Sequence, residues 1–348
     1  PKILKSILSK WNESKRILVV VGTLSPDALD AKTISVLAYD PRVVVLHEIT
    51  SNLHHHNFIA HIDRVILPIE KQKNSQEIFQ SLAPDLIITM GGMVVSKKIK
   101  SLLRSYKGVP HHHVGNDRPL DTHYLGVQHL QVDQNSFFSD LTSSTDSKAN
   151  YQDQWLHLSH QREIAHNSFL VNAPFSDLLV FDKIMRAVPK NYLLHWANSS
   201  PIRYAQLFPV PKDSQSFCNR GTSGIEGSIS TAVGAAVGSD RPTLTITGDL
   251  SFFYDSNALW NQYIPSNFRL IVVNNGGGGI FRILPKAKET PGFETYFEIK
   301  HKRTAKHMAK HYGLSYQIVR TSIGLRLALG RFFSKSTRSI IKINYNDF

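Results

Sequence analysis

Two short segments carry the residues best suited to chemistry: Gly248-Asp249-Leu250 and, further on, Asn274-Asn275-Gly276-Gly277. The Asp249 carboxylate and the Asn275 amide carbonyl are hard oxygen donors that suit Mg²⁺, an ion that completes its octahedron with phosphate oxygens and water. The glycines from Gly276 to Gly279 carry no Cβ, so the backbone can approach a ligand closely and offer a carbonyl to a metal or amides to phosphate. The pair spells a site for a divalent metal carrying a diphosphate. Ordinary turn chemistry also places GD or NNGG after a strand. It is their joint occurrence across one strand-helix-strand spacing that favours the metal reading.

That spacing dictates the elements that must position them. Pro242 to Thr247 reads as a buried strand, Asp255 to Tyr263 as a helix, and Arg269 to Val273 as a second buried strand. A right-handed crossover sets the two strands side by side and parallel, so Asp249 and Asn275 converge on one edge of a sheet. Upstream, the small residues from Ser228 to Val237 read as a helix packed closely on that sheet.

The pattern resembles the thiamine diphosphate (TPP) motif, GDG followed by NN, with Leu250 in place of the last glycine. Four blocks in order sharpen the likeness: Asn198-Ser-Ser-Pro-Ile-Arg203, Asn219-Arg-Gly-Thr-Ser-Gly-Ile-Glu-Gly227, GDLSFFYD from Gly248 and NNGGGGIFRILP from Asn274. Together they resemble the 2-succinyl-5-enolpyruvyl-6-hydroxy-3-cyclohexene-1-carboxylate synthases of menaquinone biosynthesis, the MenD family. The resemblance implies a transferase that decarboxylates 2-oxoglutarate and adds the succinyl carbanion equivalent to isochorismate. It assigns the metal, Mg or Mn, to Asp249, Asn275 and the carbonyl of Gly277. The cofactor falls to Ser223, Gly224, Ile225, Gly248, Leu250, Ser251, Gly278 and Ile280 as well, with the Ser251 hydroxyl donating to the diphosphate. Ile225 is implied to hold the cofactor bent, and Ser199 to lie with it at the reacting atoms. Substrate contacts are implied for Asn198, Arg203, Arg220, Ile280, Phe281 and Leu284; the planar arginine fork suits carboxylates.

Such enzymes also need a carboxylate, usually Glu, against the pyrimidine, supplied by an amino-terminal pyrimidine-binding domain of a second subunit. Glu226 sits on the diphosphate side and is no substitute. The expectation is a carboxyl-terminal portion of a longer, homo-oligomeric protein, inactive by itself. The alternatives are another TPP-dependent oxoacid decarboxylase or acetolactate-synthase-like enzyme, or a non-catalytic diphosphate-binding module.

Composition bounds the rest. The chain has 348 residues, long for one core, and 41% of them are hydrophobic, without an apolar run of membrane-spanning length. Lysines and arginines exceed acids to give a formal charge of +13. They are scattered rather than blocked and accompany no nucleic-acid motif, so anionic small molecules suit the charge better than nucleic acid. One cysteine, Cys218, excludes an internal disulfide and fits a reducing cytoplasm.

Before these motifs, Arg16 to Val21, Val43 to His47, Arg64 to Leu67 and Asp85 to Met90 read as short buried strands separated by helices. The fold class is therefore α/β with two doubly wound, mainly parallel sheets: residues 1–134 a cofactor-free scaffold, 135–171 a linker and connecting helix, 172–348 the diphosphate and metal domain. Gly22 and Gly91-Gly92 lack the G-x-G-x-x-G spacing, so they read as packing glycines. The runs His54 to His56 and His111 to His113 point in alternating directions, poor geometry for one ion, and read as surface or interdomain polar residues.

Overall fold

The computed structural model describes residues 2–141, 149–283, 286–334 and 339–344. The chain divides into two compact units, Pro1–Val171 and Asn172–Phe348.

In the first unit, valine- and isoleucine-rich runs too short for a helix make six strands: β1 (Ile17–Val21), β2 (Val43–His47), β3 (Phe58–Ile59), β4 (Leu86–Met90), β5 (His111–Val114) and β6 (Gln128–Leu130). All pairings are parallel, in the order β3-β2-β1-β4-β5-β6. Every residue of β1 and β2 is buried, because helices cover both faces. The side chains sort by parity: Ile17, Val19 and Val21 pack with Trp11 and Phe138 on one face, Leu18 and Val20 with Ile66 and Trp155 on the other. A Cβ on Gly22 would run into the Gly92 carbonyl oxygen, so close packing accounts for that glycine.

Three expectations for this unit change. Arg64 to Leu67 belongs to a helix, Ile62–Glu70, not a strand. The buried residues Ile62, Val65, Ile66 and Ile69 follow helical spacing, which a window of four apolar-rich residues conceals. His111 to His113 are not surface residues; they form the buried strand β5. Thr89 on β4 reaches the rings of His111 (3.0 Å) and His113 (3.1 Å), giving each one partner inside the sheet, while the buried Nδ1 atoms of His111 and His112 have no hydrogen-bond partner among the described residues. The segment expected to open as a loop at Asn135 begins instead as a helix, Gln134–Ser139, capped by the Asp133 carboxylate and anchored by buried Phe137 and Phe138. A helix, Tyr151–Val171, closes the unit.

The second unit repeats the plan with β7 (Leu193–Trp196), β8 (Gln215–Phe217), β9 (Thr243–Gly248), β10 (Phe268–Asn274), β11 (Ser315–Val319) and β12 (Ser339–Asn344). Its six strands are parallel in the order β11-β12-β10-β9-β7-β8. The expected α/β class with two parallel sheets therefore holds. The crossover helix expected at Asp255 to Tyr263 starts earlier, at Asp249–Tyr254, followed by a 3₁₀ turn at Ser256–Leu259. Asp255 ends the first helix and serves another: its carboxylate accepts from the amides of Ile229 (2.6 Å) and Ser230 (2.8 Å), at the start of the helix Ser228–Val237. No helix among the described residues is long and apolar enough to cross a membrane.

Candidate functional site

The register of the two central strands sets Gly248 beside Val273, so Asp249 leaves β9 next to Asn274 as it leaves β10. Between these strand ends and that of β7 lies a cavity of about 120 Å³. Asn198 and Ser199 line it after β7, Asp249 after β9, Asn275 and Gly277 after β10, and Ile225 closes it from the loop before the helix Ser228–Val237. Ser199 stands at φ 74°, ψ −127°, a backbone conformation that non-glycine residues adopt only when their surroundings force it.

Asp249, 2% exposed, organises the turn it faces. Its Oδ2 accepts from the amides of Gly276 (2.9 Å) and Gly277 (3.0 Å), and its Oδ1 from the amide of Leu250 (2.8 Å). A carboxylate offers about four lone-pair directions, so Oδ1 retains capacity for a cation. The half-buried Asn275 amide has no hydrogen-bond partner among the described residues. Nor do the described residues include a group of three or more His, Cys, Asp or Glu arranged to hold a metal. A divalent ion here would thus take one carboxylate, an amide oxygen, a backbone carbonyl and ligand oxygens, a donor set that fits Mg²⁺ or Mn²⁺.

Gly277 has φ 153°, and a Cβ there would run into the Glu298 carbonyl oxygen. Glu298, 1% exposed, is held by Arg282 (Nε to Oε1 2.6 Å), and its carbonyl accepts from the amide of Gly278 (2.5 Å). The segment Phe293–Glu298 therefore clamps the glycine turn from behind. His301 adds to the clamp: its amide donates to the Gly276 carbonyl (2.9 Å) and its Nε2 lies 3.3 Å from Asp249 Oδ2. No local motif marks Glu298 or His301, because their roles exist only where the chain folds back on the turn.

The loop from Asn219 to Gly227 is fixed by Asn198, whose Nδ2 donates to the carbonyls of Asn219 (2.7 Å) and Gly224 (2.6 Å). Its Oδ1 accepts from Arg220 Nη1 (2.8 Å). With its amide thus spent, Asn198 is a strut for the loop rather than a free donor. Arg220 is 9% exposed, and its buried Nε has no hydrogen-bond partner among the described residues. Ser251, 3% exposed, donates its hydroxyl to the carbonyl of Ile225. That contact ties the hydroxyl to the apolar wedge.

Of the residues singled out in the sequence, Asn198, Ser199, Ile225, Gly248, Asp249, Leu250, Ser251, Asn275, Gly277, Gly278, Ile280 and Phe281 all line the cavity, so residues of all four blocks meet there. Ser223, Gly224, Arg203 and Arg220 do not line it; Arg203 lies half-buried on the helix Ser200–Ala205. Leu284 falls outside the described residues. Asp177 and Phe181, on the helix Asp177–Ala187, complete the wall without a motif to signal them.

Residues 199–343 match the family described as thiamine pyrophosphate enzyme, C-terminal TPP binding domain. The chain is 47% identical over 336 residues to a 2-succinyl-5-enolpyruvyl-6-hydroxy-3-cyclohexene-1-carboxylate synthase of Christiangramia forsetii, covering 96% of this chain and 58% of that protein. To the protein of the same name from Flavobacterium johnsoniae it is 48% identical over 312 residues, 89% of this chain and 55% of the relative. The chain thus spans a little over half the length of these relatives. Among solved structures, a thiamine diphosphate-dependent 4-hydroxybenzoylformate decarboxylase of Rhodococcus jostii superposes with a TM-score of 0.63 at 17% identity. That match covers 99% of this chain and 64% of the other, and it speaks for the fold.

Proposed function

Because this chain belongs to the 2-succinyl-5-enolpyruvyl-6-hydroxy-3-cyclohexene-1-carboxylate synthase family of thiamine diphosphate enzymes, we propose that it forms the metal and diphosphate side of a TPP site. The proposed reaction is decarboxylation of 2-oxoglutarate and addition of the resulting succinyl unit to isochorismate. The observation that carries the reading is Asp249, a buried carboxylate that gathers the Gly276 and Gly277 amides and keeps a lone pair toward the cavity beside Asn275.

In this reading Asp249, Asn275 and the Gly277 carbonyl hold Mg²⁺ or Mn²⁺, and the glycine turn leaves room for the diphosphate. Thiamine diphosphate, when bound, acts as the electron sink that makes loss of CO₂ feasible. The chain's own residues orient and exclude water. Ile225, locked through its carbonyl to Ser251, would pack against the bound cofactor and hold it in place by proximity. Ile280 and Phe281 give the cavity its apolar wall. Arg220, whose buried Nε is unsatisfied among the described residues, and Arg203 receive substrate carboxylates. The second subunit and a pyrimidine-binding domain contribute the activating carboxylate, and the assembly works in the cytoplasm.

Calorimetric titration with TPP and Mg²⁺ tests the half-site, followed by 2-oxoglutarate and isochorismate with the pyrimidine-binding domain supplied. Binding of TPP only when the metal is present is the expected result. Metal-independent binding, or 2-oxoglutarate decarboxylation by the isolated chain, would overturn the division of labour. In the complete enzyme, Arg220→Ala raises the substrate KM more than it weakens TPP binding; an unchanged KM for both substrates contradicts the carboxylate role.

A further inference from the structure

A second cavity, of about 570 Å³, opens at the carboxyl ends of β10, β12 and β11. Among the described residues five cationic side chains line it, Lys302, Arg303, Lys306, Arg320 and Lys342, and no carboxylate does. Elsewhere acids and bases pair, as in Arg42 with Asp40, Lys98 with Glu70 and Arg282 with Glu298. Among the described residues none of these five reaches a carboxylate within ion-pair distance.

Lys342 makes this more than a charged rim. It points from the interior of β12, is 4% exposed, and its ammonium has a single long contact, 3.4 Å to the Arg303 carbonyl. An ammonium carries three donors, so two are unspent among the described residues. Burial pulls the Lys342 amine below its ordinary value, while the charge of Asp249 works in the opposite direction. A buried cation with spare donors is costly unless something neutralises it. Around it stand the Asn344 amide, the Asn274 amide, one of whose hydrogens goes to the Arg303 carbonyl (3.2 Å), and the hydroxyls of Thr304 and Tyr316, which bond each other (3.1 Å).

We propose that this cavity is a binding site for a small multivalent oxyanion, a phosphate or polycarboxylate compound, separate from the metal and diphosphate cavity. The volume falls in the range of small-molecule sites and exceeds what a lone monovalent ion fills. The two cavities have opposite electrostatics. Among the described residues the smaller one is lined by Asp177 and Asp249 and by no Lys or Arg, so a metal would offset its carboxylates for an anion, whereas cationic side chains face the larger directly. They meet at Asn275, which lines both. The inference stands on the unpaired cations and does not rest on the cofactor reading.

The test is calorimetry on the chain in chelated, metal-free buffer, titrated separately with inorganic phosphate and citrate. Binding of phosphate only assigns the phosphate class, binding of citrate only the polycarboxylate class, and binding of both a site selective for charge; binding of neither overturns the proposal. Lys342→Met is expected to weaken binding about tenfold or more, and Arg320→Ala or Lys306→Ala about three- to fivefold. Both rim residues are exposed, so these variants keep the test valid if Lys342→Met fails to fold. Lys190→Ala, an exposed charge outside the cavity, is expected to change affinity less than twofold, within about 0.4 kcal/mol. An equal loss in Lys190→Ala and Arg320→Ala would mean diffuse attraction to a basic protein and would sink the site.

Discussion

At Asp249 one side chain performs two tasks, gathering the backbone of the glycine turn and presenting an oxygen to the cavity. Asp249→Asn keeps the shape but replaces one acceptor oxygen by an amide donor that faces other donors. TPP affinity in the presence of Mg²⁺ is expected to fall by about ten- to a hundredfold, the range of a charged interaction of ~1.5–3 kcal/mol. Titration of the variant checks this, and wild-type affinity would rule Asp249 out as the metal ligand. Ser251 separates two readings of its buried hydroxyl by its contact with the Ile225 carbonyl. Ser251→Ala is expected to lower stability by ~1 kcal/mol and to weaken cofactor binding only modestly. A large loss of TPP affinity at unchanged stability would instead return the hydroxyl to the diphosphate.

Between elements, the controlling contacts are carboxylates and carbonyls that reach across from one segment to the start or turn of another. Asp255 ends one helix yet caps the helix Ser228–Val237 through two amides and the Ser230 hydroxyl. Asp255→Ala leaves buried donors unsatisfied, so an unfolding free energy lower by ~2 kcal/mol is expected from urea titration. The clamp on Gly277 gives the sharper case. Its φ of 153° and the Glu298 carbonyl leave no room for a methyl, so Gly277→Ala displaces the turn that Asp249 holds. Loss of metal-dependent TPP binding with the folded circular dichroism spectrum retained is the expected signature.

For the whole molecule the buried histidines set a pH limit. Burial pushes His47 down to about 4, His111 to about 3, His123 to about 4 and His195 to about 4, from an ordinary value of 6.5. In the unfolded chain these rings take up protons as pH falls through 6.5; in the folded chain they resist until about 4 or below. The unfolded state therefore binds more protons across that window, and stability present above pH 6.5 is lost as pH falls toward 4. Each ring contributes on the order of a few kcal/mol at the limit. The urea midpoint is expected to drop between pH 7.5 and pH 5; an unchanged midpoint would mean that the rings are solvated.

Sequence determined what local pattern can specify. Apolar runs such as ILVVV at Ile17 and RLIVV at Arg269 specified buried parallel strands, and GDL with NNGG specified oxygen donors and bare backbone at neighbouring strand ends. It misread Arg64 to Leu67, where four residues cannot distinguish a strand from one face of a helix, and the buried histidines of β5, two of which find their hydrogen-bond partner in Thr89 on another strand. Tertiary structure alone decided what Asn198, Ser251, Glu298 and His301 touch, and that the basic run Lys302 to Lys306 meets Arg320 and Lys342 at one cavity. The physical reason is range: periodicity and turn chemistry act over a few residues, whereas a hydrogen bond or a shared field depends on where folding brings distant atoms.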